Sequence, residues 1–234
     1  MTTECEIINI DGMKFNIPIT AFPSKRFNQL KRTQWRMYES NERELIHHIK
    51  DSASVLELGG CLGVVSCLIN DKLSEPSNHI VVEPNKSLID VLNKNAKNNN
   101  CLYQTFNGVL GKVEDKVLFA ESPKNIVQSA LSTRRMHRRW KNYEVTATTI
   151  ICLEKMFDVK FDTLVMDVEG HEFYIFEEIL FVDNYIEKFD TLMIEFHGNC
   201  EKVNKIVSQM KERNYSVIGQ HENHYSDYNL VFKK

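Results

Sequence analysis

Val55-Leu56-Glu57-Leu58-Gly59-Gly60-Cys61-Leu62-Gly63 is the stretch on which the fold turns. An apolar run breaks into glycines, and a helix-period segment with Val64, Cys67 and Leu68 follows at once. Glycines at a strand-to-helix junction let the backbone turn tightly and approach a ligand, and the free N–H groups of the helix start then face it. Downstream the alternation repeats. Runs at 55–58, 79–83, 102–107, 163–167 and 191–196 have the character of strands buried in a parallel sheet. Leu88, Val91 and Leu92 mark one intervening helix, Phe173, Phe176 and Leu180 a second, and Val203, Ile206, Val207 and Met210 a third. Strands and helices in this succession predict a doubly wound α/β sheet. The runs at 215–219 and 228–232 are joined by only eight residues, too few for a parallel crossover, so the last strand is expected to run antiparallel.

Upstream of the glycine loop, residues 5–18 alternate around Asp11-Gly12 and predict a hairpin with a type I′ turn. Asn41 with Glu44 predicts a capping box for a helix carrying Leu45, Ile46 and Ile49. The expected division is therefore a hairpin and cover over residues 1–40 and a main domain over 41–234. Strand-like runs at 116–120 and 143–150 interrupt the βα alternation and predict an insertion at the functional edge. Between them lie Arg134, Arg135, His137, Arg138, Arg139, Trp140 and Lys141, a loop expected to close over an anionic or glycosidic acceptor.

A chain of 234 residues can bury about 70% of its unfolded surface as one unit. The 29 Lys and Arg against 32 Asp and Glu leave a formal charge of −3, so no global basic field draws nucleic acid, and none is expected as a partner. No run approaches the roughly 20 apolar residues of a membrane span. Thr2, Thr3, Glu4 and Glu6 stand where a signal peptide needs basic and apolar residues, and the six cysteines contain no C-x-x-C pair. The cytoplasm is the expected compartment.

Two clusters carry the chemistry. Glu83 closes the second strand 20 residues beyond Gly63, where a carboxylate can accept hydrogen bonds from both hydroxyls of a ribose. A dinucleotide loop needs glycine at position 61, where this chain has Cys61, and the acidic Glu57 before the loop suits a cation better than a pyrophosphate. S-adenosylmethionine, with a sulfonium, an ammonium and a ribose, answers both Glu57 and Glu83. The other cluster is Asp167-Val168-Glu169-Gly170-His171-Glu172 at the end of the fourth strand, with Glu195-Phe196-His197 at the end of the next. Active sites of open α/β sheets lie at these strand ends.

These motifs resemble those of the FkbM-type methyltransferases, S-adenosylmethionine-dependent enzymes of the class I fold, many of which methylate hydroxyl oxygens. The resemblance runs from Tyr38-Glu39 to Glu195-Phe196-His197. It rests on the loop at 55–63, on Val82-Glu83-Pro84-Asn85, on Leu92-Asn93-Lys94-Asn95 and on Met166-Asp167-Val168-Glu169-Gly170-His171-Glu172. It implies a Rossmann-like, mainly parallel seven-stranded sheet, with Glu57, Gly59, Gly63 and Glu83 as donor contacts; Gly60, Cys61 and Pro84 are taken with them. Asp167, Glu169 and His197 are the expected catalytic groups, in that order, for attack of a sugar, glycolipid or small-molecule hydroxyl on the donor methyl. No metal is assigned; a divalent ion on Asp167, Glu169 and Glu195 is the less favoured option. Two alternatives stand beside this reading: a non-catalytic glycan- or anion-binding protein on the same fold, and an NAD-dependent oxidoreductase.

Overall fold

The computed structural model describes residues 4–33, 35–122, 129–131, 140–222 and 227–234. The chain opens with β1 (Cys5–Ile10) and β2 (Met13–Pro18), an antiparallel hairpin. Asp11 and Gly12 both take positive φ, 51° and 86°, as a type I′ turn requires. The hairpin is fastened to the rest of the molecule through buried amides. Asn16 N–H donates to Asn95 Oδ1 at 2.7 Å, and Asn95 Nδ2 donates onward to the Leu62 carbonyl at 2.8 Å.

Two short helices follow, α1 (Ser24–Arg32) and α2 (Ser40–Leu45). The expected capping box is not formed. Glu39, in the left-handed region at φ 48°, precedes α2 and no side chain caps it. Glu44 instead pairs with His221 at 3.2 Å, and after one 3₁₀ turn the chain is extended again by Ile49. A distant strand has captured the residue that local patterning gave to the cap.

The main sheet is built from β3 (Val55–Leu58), followed by α3 (Val64–Lys72), β4 (His79–Val82), α4 (Lys86–Asn98) and β5 (Gln104–Phe106). The chain then leaves this sheet. β6 (Gly108–Leu110), β7 (Asp115–Glu121), β8 (Ser129–Leu131) and β9 (Lys141–Thr148) form a second, four-stranded sheet in the order β6-β9-β7-β8. The interruption read from the sequence is thus a sheet of its own. Most of the basic loop, 132–139, lies outside the described residues; Lys141 opens β9 with its ammonium 5.5 Å from the centre of the Tyr143 ring.

After α5 (Ile150–Phe157) the main sheet resumes with β10 (Thr163–Met166), α6 (Glu172–Ile175), β11 (Thr191–His197), α7 (Cys200–Glu212), β12 (Ser216–Glu222) and β13 (Asp227–Lys233). The expected single helix through Phe173, Phe176 and Leu180 is α6 followed by a π stretch, in which the Phe181 N–H reaches the Phe176 carbonyl at 3.0 Å. The strand order is β12-β13-β11-β10-β3-β4-β5. From β11 to β5 every pairing is parallel, and β13 runs antiparallel to both its neighbours, as its short connection demands.

Alternation along the strands sorts two cores. Leu56, Leu58, Leu164, Met166, Leu192 and Ile194 face Leu153, Phe173, Phe176, Val203 and Ile206. On the other side Val55, Val165, Met193 and Val231 face Leu45, Ile46 and Ile69, while Val81 packs with Leu88 and Leu92 of α4. Both faces being covered, the open place for a ligand is the edge where the strands end. Among the described residues no helix is long and apolar enough to cross a membrane.

Candidate active site

The ends of β3, β4 and β10 border a cleft of about 90 Å³ that opens to solvent. Its floor depends on Gly59, at φ 96°, whose N–H continues the sheet to the Val82 carbonyl. A Cβ there would lie 1.8 Å from the Asp167 carbonyl oxygen, so no other residue fits between the strands. Glu83 lines the cleft and is fixed by the backbone: one carboxylate oxygen accepts the Cys61 N–H at 2.9 Å, the other the Asn85 N–H at 2.6 Å. Each oxygen keeps a further lone pair for a ligand. Burial pushes this carboxyl up to about 7 against the two N–H bonds. Cys61 and Pro84 also line the cleft; the Cys61 thiol, 3.7 Å from the Tyr38 hydroxyl, is raised by burial and stays protonated.

The other expected donor contacts lie elsewhere. Glu57 is buried with both oxygens engaged, one by the Ser66 hydroxyl at 2.7 Å and the other by His79 Nε2 at 2.8 Å. It sits mid-sheet beneath α3 because β3 alternates, and this residue shares the face of Val55 rather than the strand end. Glu57 does not line the cleft, and its two bonds brace the loop from within. Gly60 and Gly63 are packing glycines. A Cβ would meet Val81 at 2.3 Å from Gly60, and Leu92 at 2.8 Å from Gly63.

Asp167 and Glu169 also line the cleft, and His197, from β11, comes up to both. His197 Nε2 stands 3.8 Å from Asp167 Oδ1 and 3.9 Å from Glu169 Oε2. What assembles them is Glu172, fully buried in the first turn of α6. Its Oε1 accepts the Val168 N–H at 3.2 Å, the Gly170 N–H at 3.0 Å and His197 Nδ1 at 3.1 Å. Burial works to raise Glu172, but the His197 bond and charge hold it below the ordinary range. His197 answers in the opposite sense. Burial alone would lower it; the Glu172 hydrogen bond and the charges of Asp167, Glu172 and Glu169 push it up to about 9. These surroundings favour the protonated imidazole. Asp167 is raised by burial and then by Glu169, and the exposed Glu169 is raised by burial, with His197 pulling it down.

Glu195 does not join Glu169. It turns to a separate recess under Asp167, where it meets Glu42 and receives a bond from Asn229 at 3.4 Å. Burial first, then Asp167 and Glu42, push it up to about 12, and Glu39 beside the same recess is pushed up to about 8. Sequence reading quoted Glu172 within its acidic motif but gave it no role. It also missed the cleft wall of Val109, Leu110 and Phe119, which the second sheet supplies, and Tyr174 on α6. The sole signal for Glu172 is its place three residues beyond Glu169 at a helix start, where a carboxylate can turn back onto free N–H groups.

The sequence model of the methyltransferase FkbM domain matches residues 61–217. No curated protein shows significant sequence similarity. Among solved structures, the chain is similar to a SAM-dependent methyltransferase from Streptococcus mutans, described as putative (9% identity, TM-score 0.55, covering 100% of this chain and 56% of that one). It is similar to the tRNA m1G37 methyltransferase of M. jannaschii (11%, TM-score 0.55, 98% and 56%). It also matches Methanocaldococcus jannaschii Trm5 in complex with adenosine (11%, TM-score 0.53, 100% and 56%). The chain spans little more than half the length of each of these three proteins. At such identities the likeness is one of fold. It places the chain among class I methyltransferase-like folds, and because one of them acts on tRNA, the expectation of no nucleic-acid partner gains no support from this company.

Proposed function

Because the chain belongs to the FkbM methyltransferase domain family, whose methyl donor is S-adenosylmethionine, we propose that it methylates a hydroxyl oxygen of a sugar, glycolipid or other small acceptor. The observation that carries the proposal is one cleft lined by Glu83, Asp167 and Glu169, with His197 Nε2 3.8 Å from Asp167 and 3.9 Å from Glu169.

In this reading the donor supplies an activated methyl group, and the chain supplies position and proton handling. Glu83, held by two backbone N–H groups, accepts the ribose hydroxyls. Gly59 keeps the strand end clear of side chain, and Pro84, Val82 and Leu110 offer apolar surface to the base. At the acceptor side Glu169 is the base: it is exposed and lines the cleft, and burial of its carboxyl raises its hold on a proton against the pull of His197. Asp167 and the charged His197 orient the attacking oxygen. Holding nucleophile and methyl about 3 Å apart supplies much of the acceleration, and proton removal adds typically 10²- to 10⁴-fold. Residues 1–40 act as a cover over the catalytic part at 41–234, a division supported by the Asn16–Asn95 contact and by Tyr38 against Cys61. The basic residues 134–141 favour an anionic or glycosidic acceptor on their charge.

Incubation with methyl-labelled S-adenosylmethionine and a panel of sugars, glycolipids, small alcohols and tRNA tests the acceptor class, with label followed by mass spectrometry. Transfer to tRNA alone would replace the small-molecule reading. A thermal melt tests the donor: at 100 times its Kd, S-adenosylhomocysteine should add about 2.7 kcal/mol of stability. A shift with NAD and none with S-adenosylhomocysteine would overturn the methyltransferase reading.

A further inference from the structure

His197 is anchored through one ring nitrogen, and the other is left facing carboxylates it does not bond. Nδ1 is tied to Glu172 Oε1, an oxygen itself pinned by the Val168 and Gly170 N–H groups. Nε2 faces Asp167 Oδ1 at 3.8 Å and Glu169 Oε2 at 3.9 Å. Both distances exceed hydrogen-bond range. Both are shorter than twice a metal–ligand bond of about 2.0 to 2.2 Å, so a single ion can bridge either gap. Asp167, Glu172 and His197 each place a ligand atom within 4.8 Å of the others.

A second observation points the same way. Asp167 Oδ1, the oxygen that faces Nε2 at 3.8 Å, is sealed from solvent without a hydrogen-bond partner. Buried polar atoms are nearly always satisfied, so this orphaned oxygen calls for a positive partner. We propose that His197 Nε2 and Asp167 Oδ1 are the inner ligands of a divalent-cation site, with Glu169 at its open side and Glu172 as the group that orients the imidazole from behind. A carboxylate on the far nitrogen of a ligating histidine fixes its tautomer and raises its basicity. Mixed imidazole and carboxylate donors suit Mn²⁺ or Zn²⁺ better than Ca²⁺. A proton on Nε2 and a cation are alternative occupants of the same gap, each answering the same negative surroundings.

Only the ion's use rests on the function proposed above. With two inner protein ligands, its remaining positions are left to water and to oxygens of the acceptor, which favours an acceptor carrying two adjacent oxygens, such as a vicinal diol or a hydroxy acid. The acceptor O–H bond would then break with its proton passing to Glu169, while the oxygen's electron pair forms the O–CH3 bond as the donor's S–CH3 bond breaks and leaves its pair on the sulfur of S-adenosylhomocysteine.

The test uses Mn²⁺ alone on the metal-free full chain. Loss of the free-ion electron paramagnetic resonance signal should saturate near one ion per chain. His197→Gln, Asp167→Asn and Glu172→Gln should each weaken uptake at least about tenfold, with folding checked by circular dichroism. In the unsubstituted protein, substoichiometric Mn²⁺ should broaden the His197 imidazole resonances before those of the other histidines, a readout that needs no variant. No saturable uptake at millimolar Mn²⁺, uptake unaffected by a folded His197→Gln protein, or broadening that begins at another histidine would overturn the site. S-adenosylhomocysteine binding, measured separately by calorimetry with and without Mn²⁺, keeps the two proposals apart. Its absence would sink the methyltransferase reading and leave the ion site standing.

Discussion

Glu83 and Glu172 are the same side chain in closely similar local settings, and their carboxyls are shifted in opposite directions. Both are buried, and each accepts two backbone N–H groups: those of Cys61 and Asn85 at the donor end, those of Val168 and Gly170 at the acceptor end. Burial raises both. At Glu83 it prevails over the N–H bonds and the carboxyl rises to about 7; at Glu172 the bonded His197 reverses it. Backbone donors alone therefore do not offset burial at Glu83, whereas the bonded imidazole does at Glu172. Glu83 has only backbone donors, and Glu172 is also bonded to a side chain that arrives from another strand.

The contrast breaks most visibly in stability. Glu172→Ala leaves His197 without its anchor and should cost about 3 to 5 kcal/mol in a urea titration, the range for removing one partner of a buried pair. Glu83→Ala should cost clearly less without ligand, and equal losses would erase the distinction. In activity, Glu169→Gln should lower turnover by at least about 10²-fold, some 2.7 kcal/mol, with S-adenosylhomocysteine affinity kept within a few-fold. If donor affinity collapses instead, Glu169 belongs to the donor end. Glu83→Ala should weaken S-adenosylhomocysteine by about 1.5 to 3 kcal/mol, the range for hydrogen bonds to a charged group, seen by calorimetry.

The smallest effect is the most specific to the comparison. A ribose needs the ionised Glu83, so S-adenosylhomocysteine affinity should fall by up to about tenfold per unit as pH drops below about 7. Stability without ligand has the opposite sign. The native carboxyl, at about 7 against an ordinary 4.5, binds its proton more tightly than the unfolded one, so its contribution to stability is full below 4.5 and is lost as pH rises to about 7. Glu83→Gln should flatten both profiles, and an unchanged affinity profile would place the titrating group elsewhere.

What the sequence alone determined is what depends on neighbours along the chain. The glycine loop was legible because Gly59 meets a backbone need, and the strand-ending Glu83 because its spacing from the loop follows from one βα unit. The antiparallel β13 was legible because eight residues cannot cross a sheet. Periodicity also announces that β3 is buried, but not that Glu57 would find Ser66 and His79 on its own face; those partners are nine and twenty-two residues away. The tertiary structure alone decided that Glu44 would leave its cap for His221, that a second sheet would wall the cleft, and that Glu195 would turn away from Glu169. It also made Glu172 the centre of the acceptor end, since the imidazole it holds arrives from β11, twenty-five residues on. A carboxylate's charge is set by what surrounds it in space, and in this chain that surrounding comes from strands that meet only when the sheet has formed.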